Sequence, residues 1–157
     1  MIIRKYTAAD IDSLRDIWNE VVLDGIAFPQ DNPLGEDAAS FFESQTYTGV
    51  ADDNGDVVGL YILHPNNVGR CGHICNASYA VRSDMRGKGI GRLLVSDCIA
   101  RAPEFGFKVL QFNAVVESNT AARRLYESLG FTQLGTIKGG FRTDSGYVNI
   151  CPYYIEL

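Results

Sequence analysis

Apolar and polar positions change period several times along the chain, and each change marks an element. Ile2 to Tyr6 reads as a short strand, after which Ile11, Leu14, Ile17, Trp18, Val21 and Val22 recur at helical spacing and predict an amphipathic helix ending near Asp24-Gly25. Thr7, with Asp10 three residues later, forms an approximate capping box ahead of it. Ile26 to Gly35 carries Pro29 and Pro33 and reads as a loop; Glu36 to Gln45 follows as a short helix with Ala38, Ala39, Phe41 and Phe42 available for burial. A loop this long in a small chain often serves a site. Tyr47 to Ala51 and Val57 to Leu63 flank Asp52-Asp53-Asn54-Gly55-Asp56, where Asn-Gly tolerates the positive φ of a tight hairpin turn, so an antiparallel pair follows.

Gly72 to Val81 continues as a fourth strand. Helical spacing returns at Ile90, Leu93, Leu94, Cys98, Ile99 and Ala102, with Pro103 disturbing the last turn and Gly106 as C-cap. Lys108 to Val116 makes a fifth strand. Ser118 and Asn119 open a final helix with Ala122, Leu125, Tyr126 and Leu129 near one face and Gly130 at its end. Phe131 to Lys138 and Tyr147 to Glu156 form a closing hairpin, with a bulge or broken pairing expected at Pro152, which has no N–H for a ladder. The elements add up to an α/β (α+β) fold, a mixed, mostly antiparallel seven-stranded sheet flanked by about four helices.

Composition narrows the classes. A chain of 157 residues, 46% of them hydrophobic, suits a single domain over 1–157. A net charge of −5 argues against nucleic-acid binding, which depends on clustered Lys and Arg. No window approaches the roughly 18 apolar residues of a membrane span, and the N-terminus lacks a signal-like apolar run, so a soluble cytoplasmic protein is expected. The four cysteines are too scattered for a secreted disulfide framework. Cys71, His73 and Cys75 would share one strand face, but no fourth ligand and no C-x-x-C spacing accompany them, so no metal is expected.

The densest chemistry lies in Arg86-Gly87-Lys88-Gly89-Ile90-Gly91-Arg92, between the strand-like Ile74 to Val81 and the helical stripe that begins at Ile90. The first N–H groups of a helix lack intrahelical acceptors, and its dipole puts partial positive charge there. Glycines let the backbone close on an anion, and Arg86, Lys88 and Arg92 add formal charge. The placement suggests a cradle for a diphosphate. A P-loop would need Ser or Thr after the lysine, and a dinucleotide fingerprint would read G-x-G-x-x-G with an acidic residue about 20 positions on. This run reads G-x-G-x-G. For the glycines alone, a plain direction-changing turn is the competing reading.

The stretch from Val81 to Gly91, together with Asn119-Thr120-Ala121-Ala122-Arg123-Arg124-Leu125-Tyr126-Glu127-Ser128-Leu129-Gly130-Phe131, resembles the GNAT superfamily of acetyl-CoA-dependent N-acetyltransferases. The element order is similar to that fold over nearly the whole chain. The resemblance implies a sheet splayed between its fourth and fifth strands by a bulge in the fourth. It implies acetyl-CoA as co-substrate, with R-x-x-G-x-G at Arg86, Gly89 and Gly91 and the pyrophosphate held by the loop of Arg86, Gly87, Lys88, Gly89, Ile90, Gly91 and Arg92. The pantetheine arm would pair near Ala80 and Val81, where a freed N–H would polarise the thioester carbonyl. Asn119 and Tyr126, seven residues apart and so close to two helical turns, can both face the cofactor. The tyrosine at this position protonates the departing thiolate in the family. The chemistry suits it, since a phenol is neutral at pH 7 and a thiol with pKa near 8.5 leaves as an anion. Without its flanking motif, Tyr126 reads as a core aromatic on an amphipathic helix.

On the acceptor side, Asn76 and Asn113 interrupt apolar strands on either side of the expected splay, and Ser78 shares the Asn76 face. Buried amides need partners, so these two either bond each other and the backbone or hold a ligand. Cys75-Asn76-Ala77 and Phe112-Asn113, with Asn119 six residues later, look like the yeast proline-analogue N-acetyltransferase branch, whose matching asparagines contact substrate and assist transfer. This chain is shorter and lacks that branch's N-terminal extension. The resemblance implies an amine acceptor carrying a carboxylate, with Asn76, Asn113 and Phe28 at the substrate and Tyr126 and Asn113 in catalysis. Phe28 reads equally as a cover for the acceptor or as a core anchor. Glu117 and His73 are weak candidates for a general base, the first reading as a solvated charge and the second as a strand histidine facing away from Asn76. The partners implied are a small-molecule amine, probed against a protein or peptide amine and against an acyl-CoA sensor without turnover, and a homodimer as the candidate assembly, with no nucleic acid and no membrane.

Overall fold

The computed structural model describes residues 1–157. Its elements run β1 (Ile2–Lys5), α1 (Ile11–Asp24), α2 (Ala38–Glu43), β2 (Tyr47–Asp53), β3 (Asp56–Pro65), β4 (Ile74–Val81), α3 (Ile90–Arg101), β5 (Val109–Val116), α4 (Thr120–Ser128), β6 (Thr132–Gln133), β7 (Ile137–Thr143) and β8 (Gly146–Glu156). The capping box before α1 forms, with the Thr7 N–H donating to Asp10 at 2.7 Å. Arg4 donates to both oxygens of Asp10 and to Asp52, which fastens the helix start to the first two strands. The β2–β3 turn uses Asn54 at φ 56° and Gly55 at φ 92°, the left-handed pair that a two-residue hairpin demands.

The sheet has eight strands in the order β1-β2-β3-β4-β5-β8-β6, with β7 on the other part of β8. The expected count was seven. The extra strand arises because the segment Phe131 to Lys138 breaks between Gln133 and Ile137, where the register against β8 shifts by one residue, from Gln133↔Tyr153 to Ile137↔Ile150. Pro152 does lie at an irregularity. Phe112 faces Tyr153 while Val115 faces Cys151, so one extra residue is accommodated on β5 around Asn113 and Ala114. The bulge expected in the fourth strand is absent, since β3 and β4 pair without a register shift from Gly59↔Val81 to Pro65↔Cys75.

Apolar side chains cover both faces. One core gathers Tyr61, Leu63, Ala77, Leu94, Val95, Phe112 and Tyr153 under α3 and α4; the other gathers Trp18, Phe42, Leu60, Ile62 and Ala80 under α1 and α2. Period-two alternation on β4 therefore sends Ala77, Tyr79 and Val81 to the first face and Asn76, Ser78 and Ala80 to the second. Cys71 falls in an exposed turn before β4 while Cys75 is buried, so the shared face proposed for Cys71, His73 and Cys75 does not form. No helix is long and apolar enough to cross a membrane.

Candidate active site

The parallel ladder between β4 and β5 is two rungs long, Ile74↔Val109 and Cys75↔Leu110. Where a further rung would come, the Asn76 side chain intervenes, its Nδ2 donating to the Gln111 carbonyl at 2.8 Å. Beyond that point the strands part. The Arg82 N–H reaches Val58 and the Asn66 N–H reaches Ile74, so even-numbered β4 residues spend their backbone groups on β3. Odd-numbered Tyr79 and Val81 therefore turn theirs to the opening. Ala80, expected beside the cofactor, instead pairs with Leu60 and is 2% exposed in the α1 core. Val81 keeps its N–H toward the opening, while its carbonyl accepts from Arg86 Nε at 3.2 Å.

Gly87 and Gly89 stand at φ 77° and 81°, with Gly89 as N-cap of α3. In the left-handed region a Cβ would cost about 1–2 kcal/mol. No backbone or side-chain acceptor meets the N–H groups of Gly87, Lys88 or Gly89. With the unpaired first N–H groups of α3 they form a concave set of donors at the positive end of a helix, which fits a pyrophosphate. Side chains contribute less than the sequence suggested. Ile90 is buried in the core at 2% exposure, so only its backbone faces the loop. Arg86 is turned toward Asp24 at 3.4 Å. Arg92 donates to Ser128 Oγ at 2.7 Å, tying α3 to α4, and Lys88 stays exposed beside Met85.

From this loop a cleft of about 290 Å³ runs through the splay, and its walls bring together Gly91, Asn119, Tyr126, Asn76, Asn113 and Phe28. Asn119 caps α4, its Oδ1 accepting from the Ala122 N–H at 3.2 Å, so its Nδ2 is what remains for a ligand. Tyr126 packs its ring on Phe112 at 4.5 Å and Phe131 at 5.5 Å while lining the cleft. It is thus both core aromatic and cleft wall. Burial, and secondarily the Cys98 thiol, raise its pKa above the usual phenol range, which keeps it protonated and able to donate. Burial likewise pushes Cys98 up to about 12. The Tyr79 hydroxyl lies sealed beside that thiol, but no acceptor meets it in hydrogen-bond geometry.

The acceptor face is made of amides. Asn113, at the β5 irregularity, exchanges hydrogen bonds with Asn66: its Nδ2 donates to Asn66 Oδ1 at 2.6 Å, and Asn66 Nδ2 returns at 3.3 Å. Gln111 Nε2 also donates to Asn113 Oδ1 at 3.1 Å. Asn76 and Asn113 therefore do not bond each other; each is oriented by other groups. Phe28 stacks on Trp18 at 4.3 Å, inside a loop that Trp18–Gln30 and reciprocal Asn19–Leu34 hydrogen bonds hold down. Phe28 and Pro29 also wall a second cleft of about 600 Å³ with Gln30, Asp31, Arg142 and Thr143. Arg142, paired with Asp31 at 2.8 Å, is the cation of the two linings. Glu117 and His73 line neither.

Sequence reasoning missed Asn66, Gln111 and Arg142. Only the fold carries Asn66 and Gln111 to the Asn113 side chain and Arg142 to the second cleft.

Comparison with known proteins fits this geometry. The acetyltransferase (GNAT) family matches residues 12–131. The N-acetyltransferase aca1 of Schizosaccharomyces pombe is 41% identical over 99 residues, 62% of this chain and 47% of its own, so the chain spans about half of that relative. The L-amino acid N-acyltransferase MnaT of Escherichia coli is 31% identical over 137 residues, 83% of this chain and 79% of its own. The Salmonella typhimurium acetyltransferase yncA, solved with its cofactor acetyl-CoA, superposes with TM-score 0.93 at 25% identity, covering 100% of this chain and 94% of that one.

Proposed function

This chain belongs to the acetyltransferase (GNAT) family, and on that premise we propose that it works with acetyl-CoA, as the yncA neighbour does, and acetylates the amine of a small molecule, an amino acid or amino-acid analogue. The observation that carries the reading is the acceptor face. A pinned loop, Phe28 and Pro29 close it on one side, and its polar side chains are neutral, the amides of Asn76 and Asn113 and the hydroxyl of Ser78. Arg142, across the Phe28 wall, is held by Asp31 with Asp144 in the same lining, so a substrate carboxylate would take the place of Asp31 on its guanidinium. The name of the MnaT relative points the same way.

In this reading the donors from Gly87 to the first turn of α3 hold the pyrophosphate, and the open backbone groups of Tyr79 and Val81 take the pantetheine arm. An open β4 N–H at the Asn76 end of the splay faces the thioester oxygen, where charge develops during attack. Asn76 and Asn113 orient the acceptor nitrogen, and Asn119 Nδ2 contacts the cofactor. Tyr126, kept protonated by burial, gives its proton to the leaving sulfur.

Thiol release from acetyl-CoA with free amino acids, proline analogues, polyamines and peptides as acceptors tests it. Free amino acids should turn over fastest. Turnover with peptides alone would replace this reading with protein N-acetylation, and acetyl-CoA binding without turnover on any amine would replace it with a sensor.

A further inference from the structure

An amine that attacks a carbonyl must shed a proton, yet the cleft lining contains no Asp, Glu, His or Lys. We propose that His64 is the general base of the transfer, taking that proton at Nε2 through a water held by Asn76.

The placement rests on the sheet. His64 is the cross-strand partner of Asn76. Opposite residues of an antiparallel pair point to the same face with Cβ atoms about 4.5–5.5 Å apart. The imidazole therefore stands one strand from the amide that ends the β4–β5 ladder, on the same sheet face but outside the residues that line the cleft, so a water must span the gap. Because Asn76 Nδ2 is committed to Gln111, its Oδ1 is free to accept from a water between imidazole and acceptor.

The tautomer follows from the neighbouring carbonyl. His64 Nδ1 lies 3.0 Å from the Pro65 oxygen, which can only accept, so the hydrogen bond requires Nδ1–H and leaves the lone pair of the neutral ring on Nε2. The ring is half-buried and reachable by solvent. Its surroundings hold no competing charge: Ile62 and Asn66 along β3, Asn76 and Ser78 on β4, and Gln111 and Asn113 across the splay are all neutral. In α2, on the same side of the sheet, Glu43 is the ionisable residue, and it is exposed at the helix end.

The step balances. The N–C bond forms as the C–S bond breaks; the nitrogen's proton passes through the water to Nε2, and the thiolate takes the phenol proton of Tyr126. Solvent then removes the imidazolium proton and restores the phenol. The inference shares with the proposed function the role of Tyr126 but not the choice of acceptor.

His64→Gln and His64→Ala test it, assayed on whichever acceptor the wild-type enzyme uses fastest. Both variants should lower kcat/KM for the acceptor about 10²- to 10⁴-fold with KM for acetyl-CoA unchanged. His64→Gln should lose the acid limb of the wild-type pH profile, and added imidazole should restore turnover to His64→Ala. Activity within a few-fold of wild type in either variant overturns the proposal. So does a loss that imidazole does not rescue and that leaves the pH profile unaltered, the signature of a structural histidine. If the wild-type enzyme uses only peptides, the amino-acid reading falls while the same variants, assayed on the peptide, still decide the role of His64.

Discussion

The two halves of the cleft are built on different terms. The donor half, from Val81 through Gly91, offers backbone: N–H groups of Gly87 to Gly89, the start of α3 and the open edge of β4. The acceptor half offers side chains, with Asn76 from β4, Asn113 from β5 and Phe28 from the loop after α1, backed by Asn66 behind Asn113 and by Arg142 in the adjoining cleft. A backbone site is fixed by local conformation and tolerates varied residues between its glycines. A side-chain site depends on each amide being held by another, so it changes with any one residue. In the proposed reading the first would hold the cofactor and the second would set the acceptor.

Beyond the His64 variants, the largest expected effect falls where the halves meet. Tyr126→Phe keeps the ring packing on Phe112 and Phe131 and removes only the proton, so kcat should fall about ten- to a thousandfold with acetyl-CoA affinity little changed, by stopped-flow turnover and calorimetry. Unchanged turnover would remove Tyr126 from the mechanism.

On the donor side, Gly89→Ala places a Cβ in a left-handed conformation with open space around it, so the cost is strain of about 1–2 kcal/mol. A loop that relaxes out of that strain in the free protein must be driven back on binding, so the Kd for acetyl-CoA should rise by up to about tenfold while acceptor KM stays put. A change confined to acceptor KM would contradict the division of the cleft.

On the acceptor side the converse holds. Asn66→Ala removes the partner of Asn113 and should raise acceptor KM about two- to fivefold, the worth of a modest hydrogen bond, without altering the Kd for acetyl-CoA. Asn113→Ala should exceed it, since it removes the contacting amide itself.

The smallest expected effect is the pH response of Tyr126. Burial raises its pKa, so the folded chain binds the phenol proton more tightly than the unfolded chain does. That contribution to stability is fully present below the ordinary tyrosine pKa of about 10 and is lost only as pH rises beyond it. Turnover should show no loss from Tyr126 between pH 7 and about 10; a basic limb in that range that vanishes in Tyr126→Phe would contradict the burial argument.

The same contrast explains what could be read from the sequence. The order of strands and helices was legible from period changes, and the anion loop from three glycines ahead of a helical stripe, because both are local properties of the chain. Pro152 announced its irregularity through a missing N–H. The position of the splay device was not legible. Asn76 ends the ladder with a side chain, where a strand bulge was expected, and nothing local tells an amide that bonds across strands from one that waits for substrate. Arg86 looked like a phosphate ligand, yet Asp24 lies 62 positions away in the chain and 3.4 Å from its guanidinium. The split of β6 from β7 depends on a one-residue shift of register against β8, also a tertiary event.

The central claim is that a carboxylate-bearing small amine is acetylated in this cleft. The most direct measurement compares kcat/KM for a free amino acid with that for its carboxamide, in the wild-type enzyme and in Arg142→Gln. A charged hydrogen bond of about 1.5–3 kcal/mol predicts that the wild-type enzyme prefers the free acid by roughly 10- to 100-fold and that Arg142→Gln loses most of the preference. Equal rates on acid and amide in the wild-type enzyme, or a preference that survives in Arg142→Gln, would contradict the account.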